Sequence, residues 1–121
     1  MTTSNAVAEA LKPLAEEVAA NWRVQFGWLA DTRDTTARFV LMRPVGGGPA
    51  VHVRRPIVSV VFVGAVGDRS DASMLVSEAF AERVRQGVTG LAFAEVSEPT
   101  VSQTADGRPV AEVAVSSILS L

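Results

Sequence analysis

Apolar residues recur along the start of the chain at helical spacing. Val7, Leu11, Leu14 and Val18 share one side of the wheel, and Glu9, Glu16 and Glu17 lie elsewhere, so residues 4–20 are predicted to form an amphipathic helix packed on one face. Pro13 interrupts this pattern. An interior proline removes a hydrogen bond and crowds the preceding turn at ~3 kcal/mol. Either the helix kinks there or a second helix starts with Pro13 in its first turn, with Glu16 and Glu17 near its positive end.

The period then changes from helical to alternating. Over residues 23–30, Val24, Phe26 and Trp28 alternate with Gln25 and Gly27, which predicts a half-buried strand with Phe26 and Trp28 in the core. Asp31-Thr-Arg-Asp34 supplies turn residues. Residues 36–43 form a second predicted strand, its Phe39 and Leu41 facing opposite to Val40 and Met42, close enough to the first for an antiparallel hairpin. Pro44 and Gly46-Gly-Gly-Pro49 end it in a loop.

Residues 51–65 resume as a strand. Pro56 cannot donate to a ladder, which assigns the first part to an edge, bulge or crossover. The second part, residues 57–63, is apolar on both faces except at Ser59 and belongs in the middle of a sheet covered on both sides. Residues 64–69 turn the chain, and Ser70 or Asp71 can cap a helix over residues 71–86. Its Leu75, Val76, Ala79, Phe80, Arg83 and Val84 recur at helical spacing until Gly87 stops it. Residues 91–96 read as a strand, Glu98 and Pro99 break it, residues 100–103 are a short candidate strand, and the turn at residues 105–108 leads into a long strand over 110–119. The expected class is α+β: a mixed, mainly antiparallel sheet of about four to five strands with two main helices packed against it.

A chain of 121 residues that is 48% hydrophobic can supply one continuous core, so residues 1–121 are expected to form a single α+β domain. With 11 basic against 13 acidic residues there is no overall pull toward phosphate backbones or anionic membranes, and neither direct nucleic-acid recognition nor a membrane partner is expected. The absence of cysteine removes disulfides, thiolate nucleophiles and cysteine-ligated metals, and is compatible with a reducing compartment. Charges inside the apolar pattern of residues 1–20 do not suit an export signal. The most apolar run, residues 56–66, falls well short of the ~20 residues of a membrane-spanning helix.

Nothing in the pattern assembles into a recognisable reaction centre. His52 is the only histidine and cannot by itself make an ordinary zinc site. There is no G-x-S-x-G elbow, and Ser116, Ser117 and Ser120 on the last strand are expected to face solvent or a partner. The Gly46–Pro49 run lacks the lysine and helix start of a phosphate cradle. Asp31 with Asp34, and Asp68 with Asp71, sit at turns or a cap where aspartate is expected anyway. The expectation is therefore no enzyme: no catalytic residue, no cofactor and no metal. Arg54 and Arg55, with Arg43 and Arg38 upstream, form the densest basic feature, suited either to bidentate contacts with an acidic partner or to a solvated strand end. Trp22, at the helix-to-strand corner, suits either the core or an interface anchor.

The order of elements carries more than any residue. An N-terminal amphipathic helix, two strands, a proline and glycine loop, the strand Arg54-Arg-Pro-Ile-Val-Ser-Val-Val-Phe-Val63 and a helix over residues 71–86 together resemble the tail terminator proteins of long-tailed bacteriophages. The close of the chain, with Glu98-Pro-Thr-Val101, the turn Asp106-Gly-Arg-Pro109 and the strand over residues 110–119, is similar to the way those chains end. The resemblance spans nearly the whole chain. It implies a structural virion protein with no catalytic residues. Usually six copies make a ring that caps the tail tube, ends its growth and offers a surface to the head-tail connector.

Its expected partners are then copies of itself, the tail tube protein and the connector protein. Its expected location is the virion tail, assembled in the bacterial host cytoplasm. By position, Asp31, Arg33, Asp34, Arg43, Gly47, Arg54 and Arg55 are the candidate interface residues. A ring of heterologous contacts needs two different complementary patches per subunit, and an arginine cluster together with acidic turns supplies both signs of charge. The serine-bearing last strand, if it lies at a sheet edge, offers a boundary for strand pairing. Another connector or tail-completion subunit shares this size and logic. A small ligand-binding or enzymatic α+β domain with a pocket between helix and sheet is the alternative from a different class.

Overall fold

The computed structural model describes residues 3–27, 36–44 and 57–119. Helix α1 (Thr3–Val18) buries Val7, Ala8, Leu11, Leu14 and Ala15 and turns Glu9, Glu16 and Glu17 outward. Pro13 lies inside it, so no second helix begins there. The ring of Pro13 is on the exposed side, and the buried residues that flank it in sequence hold the helix through the missing hydrogen bond.

Among the described residues the sheet has six strands: β1 (Arg23–Phe26), β2 (Phe39–Pro44), β3 (Ile57–Val63), β4 (Leu91–Val96), β5 (Thr100–Gln103) and β6 (Pro109–Leu119). Their order is β1-β2-β3-β6-β4, with β5 also paired to β6. Every pairing is antiparallel except β1 with β2, which is parallel in the register Arg23↔Phe39 to Phe26↔Met42. The sheet is thus mixed and mainly antiparallel, as expected, with one more strand because residues 100–103 form a full ladder with β6. The expected β1–β2 hairpin is not what forms. The pair is parallel, and a parallel pair cannot be closed by a tight turn.

Alternation along the central strands divides the core. Toward the helices point Val40, Met42, Val58, Val60, Phe62, Val113 and Val115, packed with Leu11, Leu14, Phe80 and Val84. The ring of Phe62 sits edge-on between Trp22, with centroids 6.2 Å apart, and Phe80, at 5.5 Å. Burial of each such side chain stabilises by ~1.5–3 kcal/mol. Trp22 therefore joins the core. On the opposite face Phe39, Leu41, Val61 and Val63 form a second buried cluster with Ala37 and Val110 against it. Strand β3, apolar on both sides, occupies the middle as its sequence predicts.

Helix α2 (Ala72–Arg85) buries Ser73, Ser77, Phe80, Ala81 and Val84. Leu75, which helical spacing assigns to the packed face, is 53% exposed. The two serines take the place of larger residues because their hydroxyls find partners: Ser73 Oγ donates to the Pro109 carbonyl at 2.8 Å, and Ser77 Oγ to Met74 O at 2.7 Å. Asp71 stands at the N-cap without a side-chain capping bond and pairs with Arg69 instead. Gly87, at φ +106°, ends the helix.

Three further expectations are corrected. Phe26 is 48% exposed, with Lys12 Nζ 6.0 Å from its ring, instead of lying in the core; its expected companion Trp28 is outside the described residues. Ser117 is buried, because its register opposite Ala94 turns it to the helix side, and Ser120 is outside the described residues. The last strand is not an edge: β6 lies between β3 and the β4/β5 pair.

Candidate interaction surfaces

Three surface regions are built from polar or exposed side chains that the fold places together. The first is the corner where β3 leaves the sheet. The β5–β6 hairpin closes through Thr104, Asp106 and Gly107, the last at φ +91°, which a glycine adopts without strain. Thr104 Oγ1 donates to Asp106 and accepts the Arg108 backbone N–H at 2.9 Å. The turn drives the Arg108 side chain inward until it is 2% exposed. There its Nη1 donates to Ala37 O at 3.1 Å and Gly64 O at 3.3 Å, its guanidinium lies over the Phe39 ring at 5.8 Å, and Nε is 3.4 Å from Asp106 Oδ2. The Thr104 hydroxyl, aided by Arg108, holds the Asp106 carboxyl below the usual range.

Beside it Arg38 grips Asp68 with two nitrogens, Nε to Oδ2 at 2.8 Å and Nη2 to Oδ1 at 2.7 Å, while the Ala65 N–H donates to the same carboxylate at 2.9 Å. The Arg38 fork, then the Ala65 N–H, lower the Asp68 pKa to about 2 against an opposing effect of burial. Gly64 completes the corner. A Cβ there would come within 2.8 Å of Pro109 Cγ and 3.1 Å of Asp68 Oδ2.

The second region is the sheet face away from the helices. Arg43 on β2 reaches across Ser59 on β3 toward Glu112 on β6, with Nη2 3.5 Å from Oε2. Arg43 is the only one of the predicted interface residues among those described; Asp31, Arg33, Asp34, Gly47, Arg54 and Arg55 lie outside them, as does His52. The third region is the pair of sheet edges. Every residue of β5 is exposed, and Val101 is 50% exposed beside a cleft of about 290 Å³ lined by Asp68, Ser70, Gln103 and Pro109. Phe93 on β4 is 46% exposed.

Sequence reasoning missed the buried arginine and the Arg38–Asp68 fork. Arg108 follows an Asp-Gly turn and reads as a solvated turn residue, and the partner carbonyls of Ala37 and Gly64 are remote in the chain. Among the described residues no three His, Cys, Asp or Glu side chains are grouped as a metal would require, and no helix is long and apolar enough to cross a membrane.

Among the described residues, two helices on one face of a mixed six-stranded sheet, with charged groups engaged in ion pairs at its surface, make this an α+β protein. The chain belongs to the phage tail termination protein family, whose family model matches residues 4–120. No curated protein matches the chain. Membership gives the chain a structural role in completing the phage tail, contacts with other tail and head components, and a place in the virion tail.

Proposed function

We propose that residues 1–121 act as one α+β domain whose copies, six in the family's usual arrangement, form a ring on the end of the tail tube, stop its growth and present a docking surface to the head-tail connector. The family match over residues 4–120 is the observation that carries this reading. Heterologous contacts close into a ring when each subunit has two complementary patches, and the exposed apolar residues Phe26 and Val101 lie on strands at opposite ends of one sheet. The contacts with tube and connector fall to Arg43 on the sheet face away from the helices and to Asp31, Arg33, Asp34, Gly47, Arg54 and Arg55. The protein does this without catalysing a reaction.

Light scattering across a concentration series, with and without purified tail tubes, tests the reading. A discrete oligomer, free or formed on tubes, is the expected result. A strict monomer that fails to bind tubes rejects it. Tubes assembled without the protein are expected to vary in length when seen by electron microscopy.

A further inference from the structure

One end of the sheet is β1, and the other is shared by β4 and β5 along β6; the four-residue strands β1 and β5 have complementary geometry. On β1, the Arg23 and Gly27 N–H groups donate to Arg38 O at 2.8 Å and Met42 O at 2.9 Å. Backbone groups alternate along a strand, so those of Val24 and Phe26 point away from β2. On β5, the Thr104 N–H turns inward to Arg108 O at 3.0 Å, so Val101 and Gln103 direct theirs away from β6. Among the described residues neither edge carries a further strand.

Side-chain faces agree as well. Phe26 is in register with Met42 and Val101 with Ala111, so both exposed apolar residues are on the helix side of the sheet. Strands β1, β2 and β6 run one way and β5 the other. A neighbour related by rotation about an axis roughly along the strands would bring β1 against β5 in antiparallel sense.

Charge selects the same pairing. Residues 91–106 carry Glu95, Glu98 and Asp106, all exposed, and no basic residue. The β1 edge carries exposed Arg23, and Lys12 above the Phe26 ring. With Phe26 opposite Val101, Val24 meets Gln103, Arg23 falls at the hairpin that bears Asp106, and Lys12 faces the Glu98 end of β5.

We propose that these edges are the two halves of the contact between copies: β1 of one copy lies antiparallel against β5 of the next, Phe26 beside Val101, so that one sheet continues from subunit to subunit with all helices on the same side. The proposal rests on the ring reading above and says which surfaces build the ring.

The cysteine-free chain makes the test direct. Facing residues in a hydrogen-bonded antiparallel pair have Cα atoms ~5.5 Å apart, within disulfide range. Under mild oxidation the double variant Phe26→Cys/Val101→Cys is expected to give a covalent ladder of copies. A mixture of the two single variants is expected to stop at dimers, and either single variant alone to stay uncrosslinked. Independently, Val101→Lys is expected to weaken self-association at least tenfold in light scattering, with an unchanged melting temperature at concentrations where both proteins are monomeric.

An oligomer that forms without these cross-links, Val101→Cys copies that join to one another, or full association of Val101→Lys would overturn the edge pairing and leave the ring standing. Absence of any oligomer, free or on tail tubes, overturns both.

Discussion

The corner around Arg108 and the edge strand β5 are joined by a single hairpin turn, yet they are built on opposite terms. At the corner nearly every polar group has a partner: Arg108 serves two carbonyls and covers Phe39, Arg38 and the Ala65 N–H share Asp68, and Ser73 serves Pro109. Along β5 all four side chains are exposed and half the backbone groups face outward. The difference separates what holds the subunit together from what it leaves open. An over-determined corner fixes the hairpin, and the hairpin holds its edge strand in a constant place. A docking edge needs that constancy, because a strand that must first be ordered binds more weakly.

If this contrast holds, substitutions at the corner change stability and substitutions on β5 do not. Arg108→Ala should have the largest effect. It leaves the Ala37 and Gly64 carbonyls without the guanidinium and opens space beneath Phe39, with an expected loss of about 3 kcal/mol in denaturant unfolding. Gly64→Ala comes next, at about 2 kcal/mol, because its Cβ meets the rigid Pro109 ring and not the end of a flexible side chain. Retention of wild-type stability by either variant would break the comparison.

Acid should loosen the same corner. The Asp68 pKa is lowered from 3.8 to about 2, so its contribution is present above the unfolded value and is lost as pH falls toward 2. Solvent at the half-exposed Arg38 limits this to about 1 kcal/mol. Thermal melts between pH 5 and 2, taken alongside Asp68→Asn, should show the drop in the wild type and a flatter profile in the variant. The smallest effect belongs to Val101→Thr on β5, expected within about 0.5 kcal/mol of wild type.

Much of the fold was legible because local pattern and tertiary role coincide. Residues 57–63 are apolar on both faces and lie in the middle of the sheet, and the Asp-Gly turn before β6 makes its hairpin. Where pattern and role part, the reading failed. The parallel pairing of β1 with β2 depends on the path between them, which turn residues do not encode. Phe26 alternates like a core residue, but it sits at the sheet's end, half exposed, with Lys12 over its ring. Leu75, which helical spacing assigns to the packed face, is exposed, while Ser73 is buried with its hydroxyl on the Pro109 carbonyl. Of the interface residues chosen by position, only Arg43 falls among the described residues, where it faces Glu112.

The central place of β6 has a consequence for synthesis. It is the last of the six strands in chain order, yet it joins β3 to both β4 and β5. While a ribosome is still making the chain, β4 and β5 have no ladder to join, and the hairpin corner does not exist until Arg108 has emerged. The sheet therefore closes late, through contacts remote in sequence, which slows folding. Under the proposed β1–β5 pairing, a nascent copy lacks a finished β5 edge to offer, and only a copy translated through β6 would enter an assembly.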